Sequence, residues 1–407
     1  MTAAVVTGLG VVAPTGLGAD RHWESTLAGR SGIGPVARFD ASSYPARLAG
    51  EVHGFDAAEH VPSRLLPQTD HLTRMALAAS DWAFADARIS PERLGDFAAG
   101  VVTANSAGGF EFGQRELQKL WSLGSTHVSA YQSFAWFYAV NTGQISIRHG
   151  LRGPSGVLVT EQAGGLDSLA QARRLLRRGS ELVVAGAVDA PVCPWGWTAL
   201  LAGGRLSHRD DPALAFRPFD SDASGAVAGE GGALLVVERA DTAAARGAPV
   251  YGTIAGTAST FDPRPGSGRE PGLRRAVEMA LTDAGIGPAE VDVVFADAAG
   301  VPEEDAAEAA ALRAVFGPNG VPVTAPKTLT GRLASGGSAL DAATALLALR
   351  NNVIPATTAV VDVPDEYGLD LVRDGPRQAE LRTAVVLARG VRGFNAALVL
   401  TTEGERP

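Results

Sequence analysis

A glycine pair that opens a helix leading into a β-strand occurs twice in this chain, and that repetition limits the folds open to it. Gly164-Gly165 starts a helical stretch that ends near Arg178 and precedes the strand-like run LVVAGAVD. Gly336-Gly337, 172 positions later, starts another that ends near Arg350 and precedes VIPATTAVVD. One order at one spacing suggests a duplicated α/β unit, although so alanine-rich a chain could produce it by coincidence. Around these units short valine-rich runs alternate with longer Ala/Leu/Arg stretches, the pattern of an α/β protein. Residues 3–7, 156–160, 182–188, 233–238, 291–297 and 383–388 read as strands; 75–87, 163–178, 273–284 and 339–350 read as helices. The interruption ADTAAARGAP divides the chain into an N-terminal half, residues 1–240, and a C-terminal half, residues 250–407.

A chain of 407 residues, 46% hydrophobic and 19% charged, can bury a large core. Its formal net charge of -9 argues against nucleic acid or an anionic membrane as the main partner. A local basic patch would still serve a small acidic carrier protein. The single cysteine, Cys193, excludes an internal disulfide framework and fits a cytoplasmic protein. The N-terminal run MTAAVVTGLGVVAPTG has no basic region, long apolar region or cleavage signal, and no stretch approaches the roughly 20 apolar residues of a membrane span. The expectation is a soluble, cytoplasmic protein with neither metal nor cofactor.

Two motifs invite chemical readings. Gly8-Leu9-Gly10-Val11-Val12-Ala13 follows a strand and matches a dinucleotide fingerprint, but a fingerprint must open a helix. Here Pro14-Thr15-Gly16 follows and breaks one, so a glycine loop after an edge strand is expected and no nicotinamide cofactor. The second motif, VLVTEQAGGLDSLAQARRLLRR, reads as strand, tight turn and helix, with residue 162 at a helix N-terminus. There a cysteine would have its pKa lowered and backbone N–H groups could hold an oxyanion. Residue 162 is Gln, whose amide cannot be deprotonated to attack a thioester.

Residues 159–167 resemble the nucleophile elbow of ketosynthases, with Gln162 where that family has Cys. RPFDSDASGAVAGEG, from Arg217, and GVRGFNAALVL, from Gly390, are similar to two further stretches of the same family. The resemblance spans essentially the whole chain. It implies the thiolase-like condensing-enzyme fold: α/β, two pseudo-repeated halves, layered αβαβα.

Decarboxylative condensation in that family needs a cysteine thiolate and two histidines in the C-terminal half. This chain has seven histidines and the last is His208. FADAAGVPEED aligns Asp297 with the first family histidine, and KTLTGRLASGG aligns Arg332 with the second; Lys327 and Glu308 match other family positions. Cys193, in PVCPWGW, has no elbow around it. The catalytic set for condensation is therefore absent.

With Gln in VTEQAGG, and with NSAGGFEFGQRELQKLW and SAYQSFAWFYAVNTGQISIRHGLRGPSG, the chain resembles one branch in particular. That branch is the chain-length factor, or ketosynthase-beta subunit, of bacterial type II polyketide synthases. The resemblance implies a heterodimer with an active ketosynthase-alpha subunit, an acyl carrier protein as second partner, and an interface tunnel for the poly-β-keto chain. Phe110, Gly113 and Leu117 match the tunnel positions. At 100° per residue they share a helix face with Leu120 and Trp121, and Phe112 lies off it. An amphipathic helix packed on the core would show the same pattern. A mid-helix glycine costs about 1 kcal/mol against Ala, so Gly113 asks for a reason such as space. The expected product is longer than an octaketide. Gln162 has two readings: its amide binds a malonyl group and assists decarboxylation, or it fills the former cysteine pocket. Tyr131, Phe134, Trp136, Phe137 and Tyr138 are expected in core or interface packing.

Overall fold

The computed structural model describes residues 3–264 and 266–402. Ten strands carry the frame: β1 (Ala4–Ala13), β2 (Ala99–Ala104), β3 (Ser155–Leu158), β4 (Leu182–Asp189), β5 (Gly231–Arg239), β6 (Gly252–Phe261), β7 (Val293–Phe295), β8 (Pro322–Thr324), β9 (Thr383–Arg389) and β10 (Phe394–Thr401). Their spatial order is β3-β2-β4-β5-β1, then β6-β10-β9-β7-β8, with a short edge strand Asp370–Leu371 beyond β8. In the first half β2 runs parallel to β3 and β4, while β5 is antiparallel to β4 and β1. In the second, β7 runs parallel to β8 and β9, while β10 is antiparallel to β9 and β6. The two halves thus repeat one five-stranded topology. Among the described residues they meet edge to edge through the strand pairs Val5–Thr253 and Val6–Gly252.

Seven helices matter to the site: α1 (His71–Asp86), α2 (Phe110–Leu123), α3 (Gly164–Arg177), α4 (Pro194–Ala202), α5 (Leu273–Ala284), α6 (Pro302–Phe316) and α7 (Ser335–Asn351). The strands alternate apolar residues to both faces, since every sheet face is covered. Ala233, Leu235 and Val237 of β5, with Ala384, Val386 and Ala388 of β9, point into a central core shared with Leu166 and Leu169 of α3 and Leu340 and Leu346 of α7. On the far faces, Leu234 and Val236 meet Met75 and Phe84 of α1, whereas Val385 and Leu387 meet Val277 and Leu281 of α5. The layers are helix, sheet, paired helices, sheet, helix.

The repeated glycines allow that middle layer. A Cβ on Gly165 would lie 2.4 Å from the backbone N of Ala339, and one on Gly336 would lie 2.0 Å from the carbonyl O of Gly231. A side chain at 165 would push α3 and α7 apart, and one at 336 would push α7 off β5.

Three expectations fail. The Gly8-x-Gly10 run is neither loop nor edge: β1 continues through it to Ala13, between β5 and β6. The glycines let α1 lie close, because a Cβ on Gly10 would sit 1.8 Å from the Ala79 carbonyl O. In VIPATTAVVD only Val353–Ile354 forms a strand, paired with Arg377–Gln378 in a separate two-stranded sheet. The strand that repeats the role of β4 is β9, reached after a long excursion. Residues 291–297 also shorten to β7, because Asp297 turns away into the site.

Candidate functional site

Gln162 sits in a 3₁₀ turn, Glu161–Ala163, between β3 and the N-terminus of α3. Glu161 has φ 51°, so the strand-elbow-helix geometry is present with its backbone strain. The turn is tied across the middle layer: Ser335 Oγ donates to the Glu161 carbonyl at 2.9 Å and lies 2.6 Å from Ser106 Oγ. Ala298, next to Asp297, and Ala334, two residues past Arg332, also hold positive φ, at 51° and 49°. Gln162, Asp297 and Arg332 thus each stand within two residues of a backbone corner of positive φ.

The structure brings Gln162, Asp297, Lys327 and Arg332 to one cavity of about 20 Å³, with Thr330, Ser338 and Asp341 completing its polar wall. Arg332 grips Asp297 with both arms of its guanidinium, at 3.0 Å to Oδ1 and 3.1 Å to Oδ2. It also donates to the carbonyl oxygens of Asp297, Ala298 and Arg389. The Arg389 N–H donates to Asp297 Oδ1 at 2.9 Å. Burial alone would raise the Asp297 carboxyl, but Arg332 and then Lys327 outweigh it and hold the group below the usual carboxylate range.

Lys327 Nζ reaches the Asp297 carbonyl O at 2.9 Å and Asp341 Oδ2 at 2.7 Å. Glu308 lies behind rather than in the cavity, fully buried, accepting the N–H groups of Asp297 and Ala298 at 2.7 and 2.9 Å. Burial, then the Asp297 charge, pushes its carboxyl up. Lys327 and Glu308 therefore shape the loop that carries Asp297. Sequence reasoning had not marked Asp341, the second partner of Lys327, whose position nearly two turns into a buried helix carries no local signal.

None of this supplies a nucleophile. Gln162 Oε1 is buried without a hydrogen-bond partner. Cys193 is buried outside the cavity, accepts the Gly196 N–H as N-cap of α4, and has its thiol pushed up by burial to about 11. No imidazole lines the cavity among the described residues. A second cavity of about 260 Å³ adjoins Gln162 and Arg332 and reaches the exposed Val391; its walls are mostly apolar, among them Leu200, Leu206 and Val227.

The second candidate region is α2. Its buried residues are Phe112, Gly113 and Glu116; of the Phe110–Trp121 face read from periodicity only Gly113 is buried. Phe110 and Leu117 are only half-buried and Trp121 is 80% exposed. The apolar face thus looks outward, and Phe112, expected off the face, is the core anchor. Gly113 has a reason other than open space: a Cβ there would lie 3.1 Å from Cζ3 of Trp195. Trp195, from α4, stacks on Phe110 with ring centroids 5.1 Å apart and fills the notch. Trp136 and Phe137 are 45% and 51% exposed and Tyr131 37%, so these rings do not belong to this chain's core.

A condensing-enzyme fold whose elbow, corners and lysine persist while cysteine and histidines are replaced defines an altered ketosynthase. Family comparison agrees: residues 1–243 match the beta-ketoacyl synthase N-terminal domain and residues 251–360 its C-terminal domain. The chain belongs to the beta-ketoacyl synthase family. Within it, the chain sides with polyketide ketosynthase beta subunits. It is 61% identical, over 97% of its length and 98% of the relative's, to the beta-ketoacyl synthase 2 of actinorhodin polyketide from Streptomyces coelicolor. It is 59% identical, over 98% of both chains, to the tetracenomycin polyketide synthase ketoacyl synthase beta subunit of Streptomyces glaucescens. Among solved structures, the ishigamide ketosynthase/chain length factor superposes with a TM-score of 0.89 at 28% identity, covering 99% of this chain and all of that one.

Proposed function

We propose that this chain is the non-condensing subunit of a minimal polyketide synthase: it pairs with an active ketosynthase, receives chains from an acyl carrier protein, and sets poly-β-keto chain length. The observation that carries the reading is the Asp297–Arg332 pair beside Gln162. Both positions expected to hold histidine are occupied by charges that satisfy one another, inside a site whose backbone is otherwise kept. A scaffold retained without its reacting groups serves shape and assembly. The outward apolar face of α2, with Trp121, Trp136 and Phe137 exposed, supports an interface lined by Phe110 and Leu117. No helix among the described residues is long and apolar enough to cross a membrane, and a cytoplasmic location fits that biosynthetic role.

Gln162 supports a second reading, a malonyl-carrier decarboxylase that primes synthesis. Its unpartnered Oε1, at the junction of the two cavities, is an acceptor waiting for a donor.

The test is co-expression with an active ketosynthase, carrier protein and malonyl donor, with products sized by mass spectrometry. Long polyketides are expected only when both subunits are present. Condensed product from this chain alone would refute the assignment; acetyl-carrier released by it alone would establish the decarboxylase.

A further inference from the structure

Helix α2 begins at Gly109, which has no side chain to cap the orphan N–H groups of the first turn. Asp70, 2% exposed, supplies the cap from another helix. Its Oδ1 accepts the Leu72 N–H at 2.9 Å, capping its own helix α1, and its Oδ2 accepts the Phe112 N–H at 2.7 Å. One buried carboxylate therefore starts two helices and locks the first turn of α2 to α1.

A second group works from the surface side. Arg38 forms an ion pair with Glu111, the residue before Phe112, and contacts His71 Nε2 at 3.0 Å, the residue after Asp70. Its Nε donates to the carbonyl of Val192 at 3.3 Å, immediately before Cys193 and the start of α4. The same guanidinium thus touches the root of α2 and the root of the helix that carries Trp195. Trp195 itself is held by its backbone N–H, which donates to Gln114 Oε1 of α2 at 2.7 Å. Phe110, Gly113 and Trp195 are a single packed unit, and its position relative to α1 is set by Asp70 and Arg38.

We infer that Asp70, seconded by Arg38, is a positioning residue that fixes where the Phe110–Trp195 unit stands and thereby how sharply chain length is defined. The inference rests on the proposal that this face of α2 bounds the growing chain. Asp70 touches no substrate and acts through the backbone of Phe112.

The experiment uses the co-expressed complex and reads two quantities, total polyketide and the ratio of the principal length to its neighbours. Asp70→Asn keeps an oxygen for one helix but replaces the second acceptor by an N–H donor. The expected ratio falls by at least about fivefold, the size of a lost N-cap, while total polyketide stays within about twofold. Glu111→Ala, at a half-exposed position, loosens the Arg38 link without leaving a new charge buried, and a fall of about twofold is expected. Gly113→Phe is the control. If the control shortens the product while both other variants leave the ratio unchanged, the inference is overturned and the tunnel reading stands. If Asp70→Asn fails to assemble, an unchanged ratio in Glu111→Ala overturns it. If the control also leaves length unchanged, the tunnel reading fails and takes this inference with it.

Discussion

Arg332 and Asp297 face each other as a fork on a fork, with two N–H···O contacts of 3.0 and 3.1 Å between largely buried side chains. Each stands where condensing relatives are expected to present an imidazole. The pair is a substitution by mutual neutralisation: neither charge is free to take or give a proton, and neither can be removed alone without cost.

Restoring the nucleophile is therefore not enough. Gln162→Cys is expected to yield a thiol that can be alkylated but no condensation, because the decarboxylation and thioester-oxygen roles remain unfilled. Mass spectrometry of the variant with malonyl-carrier, its partner's own cysteine disabled, checks this. A condensed product from the single variant would show that the ion pair is not the barrier.

Breaking the pair should destabilise strongly. Arg332→Met leaves Asp297 buried with only Lys327 and Arg389 to offset its charge, and a loss of about 3 kcal/mol is expected in denaturant unfolding. Asp297→Asn with Arg332→Met should recover much of that loss, since both charges go together. Additive losses in the double-variant cycle would contradict the coupling.

At residue 113 the two substitutions separate. Gly113→Ala gains about 1 kcal/mol of helix propensity and meets Trp195 at a distance that a small ring shift relieves, so stability should change little. Gly113→Phe must expel Trp195 and break its stack on Phe110, worth about 0.5–1.5 kcal/mol. Shorter products are expected from the Phe variant. Products of unchanged length would remove α2 from the wall of the tunnel.

Acid sensitivity has a defined window. His22 is buried between Thr15 Oγ1 at 2.6 Å and Thr344 Oγ1 at 2.9 Å, and burial lowers its pKa to about 4. Between the ordinary histidine value and about 4 the unfolded chain binds a proton that the folded chain refuses. Stability is therefore full above that window and falls as pH drops through it, by about 3 kcal/mol for this residue. His149, lowered to about 4 chiefly by burial, adds in the same direction. Unfolding free energies measured across this range should depend less steeply on pH in His22→Gln, with the His149 contribution remaining.

The exposed rings predict assembly behaviour. Ser at both Trp136 and Phe137 should abolish co-purification with an active ketosynthase and reduce self-aggregation of the isolated chain. Undiminished pairing would place the interface elsewhere.

Much of this was legible in advance where local pattern and local structure coincide. The glycine pairs marked the starts of α3 and α7, Leu273–Ala284 appeared with its observed bounds, and the elbow announced itself through the residues around Gln162. What failed depended on partners distant in sequence. Gly8 and Gly10 read as a loop because the helix that needs their missing side chains begins some sixty residues later. Periodicity placed Phe110 and Trp121 on one face correctly, but it cannot say whether that face meets this chain or another. Trp195 is invisible from α2 alone, and so is Asp341 from Lys327, since each contact exists only after the fold has closed.

Among the described residues the two halves are joined along their sheets by two strand pairs, Val5–Thr253 and Val6–Gly252, while their central helices share one core. Arg173 of α3 also pairs with Asp283 of the opposite half. A protease that cut at the exposed Ala244–Gly247 turn would accordingly sever the polypeptide without parting the halves. The nicked molecule would migrate as two fragments under denaturing conditions and as one particle in buffer.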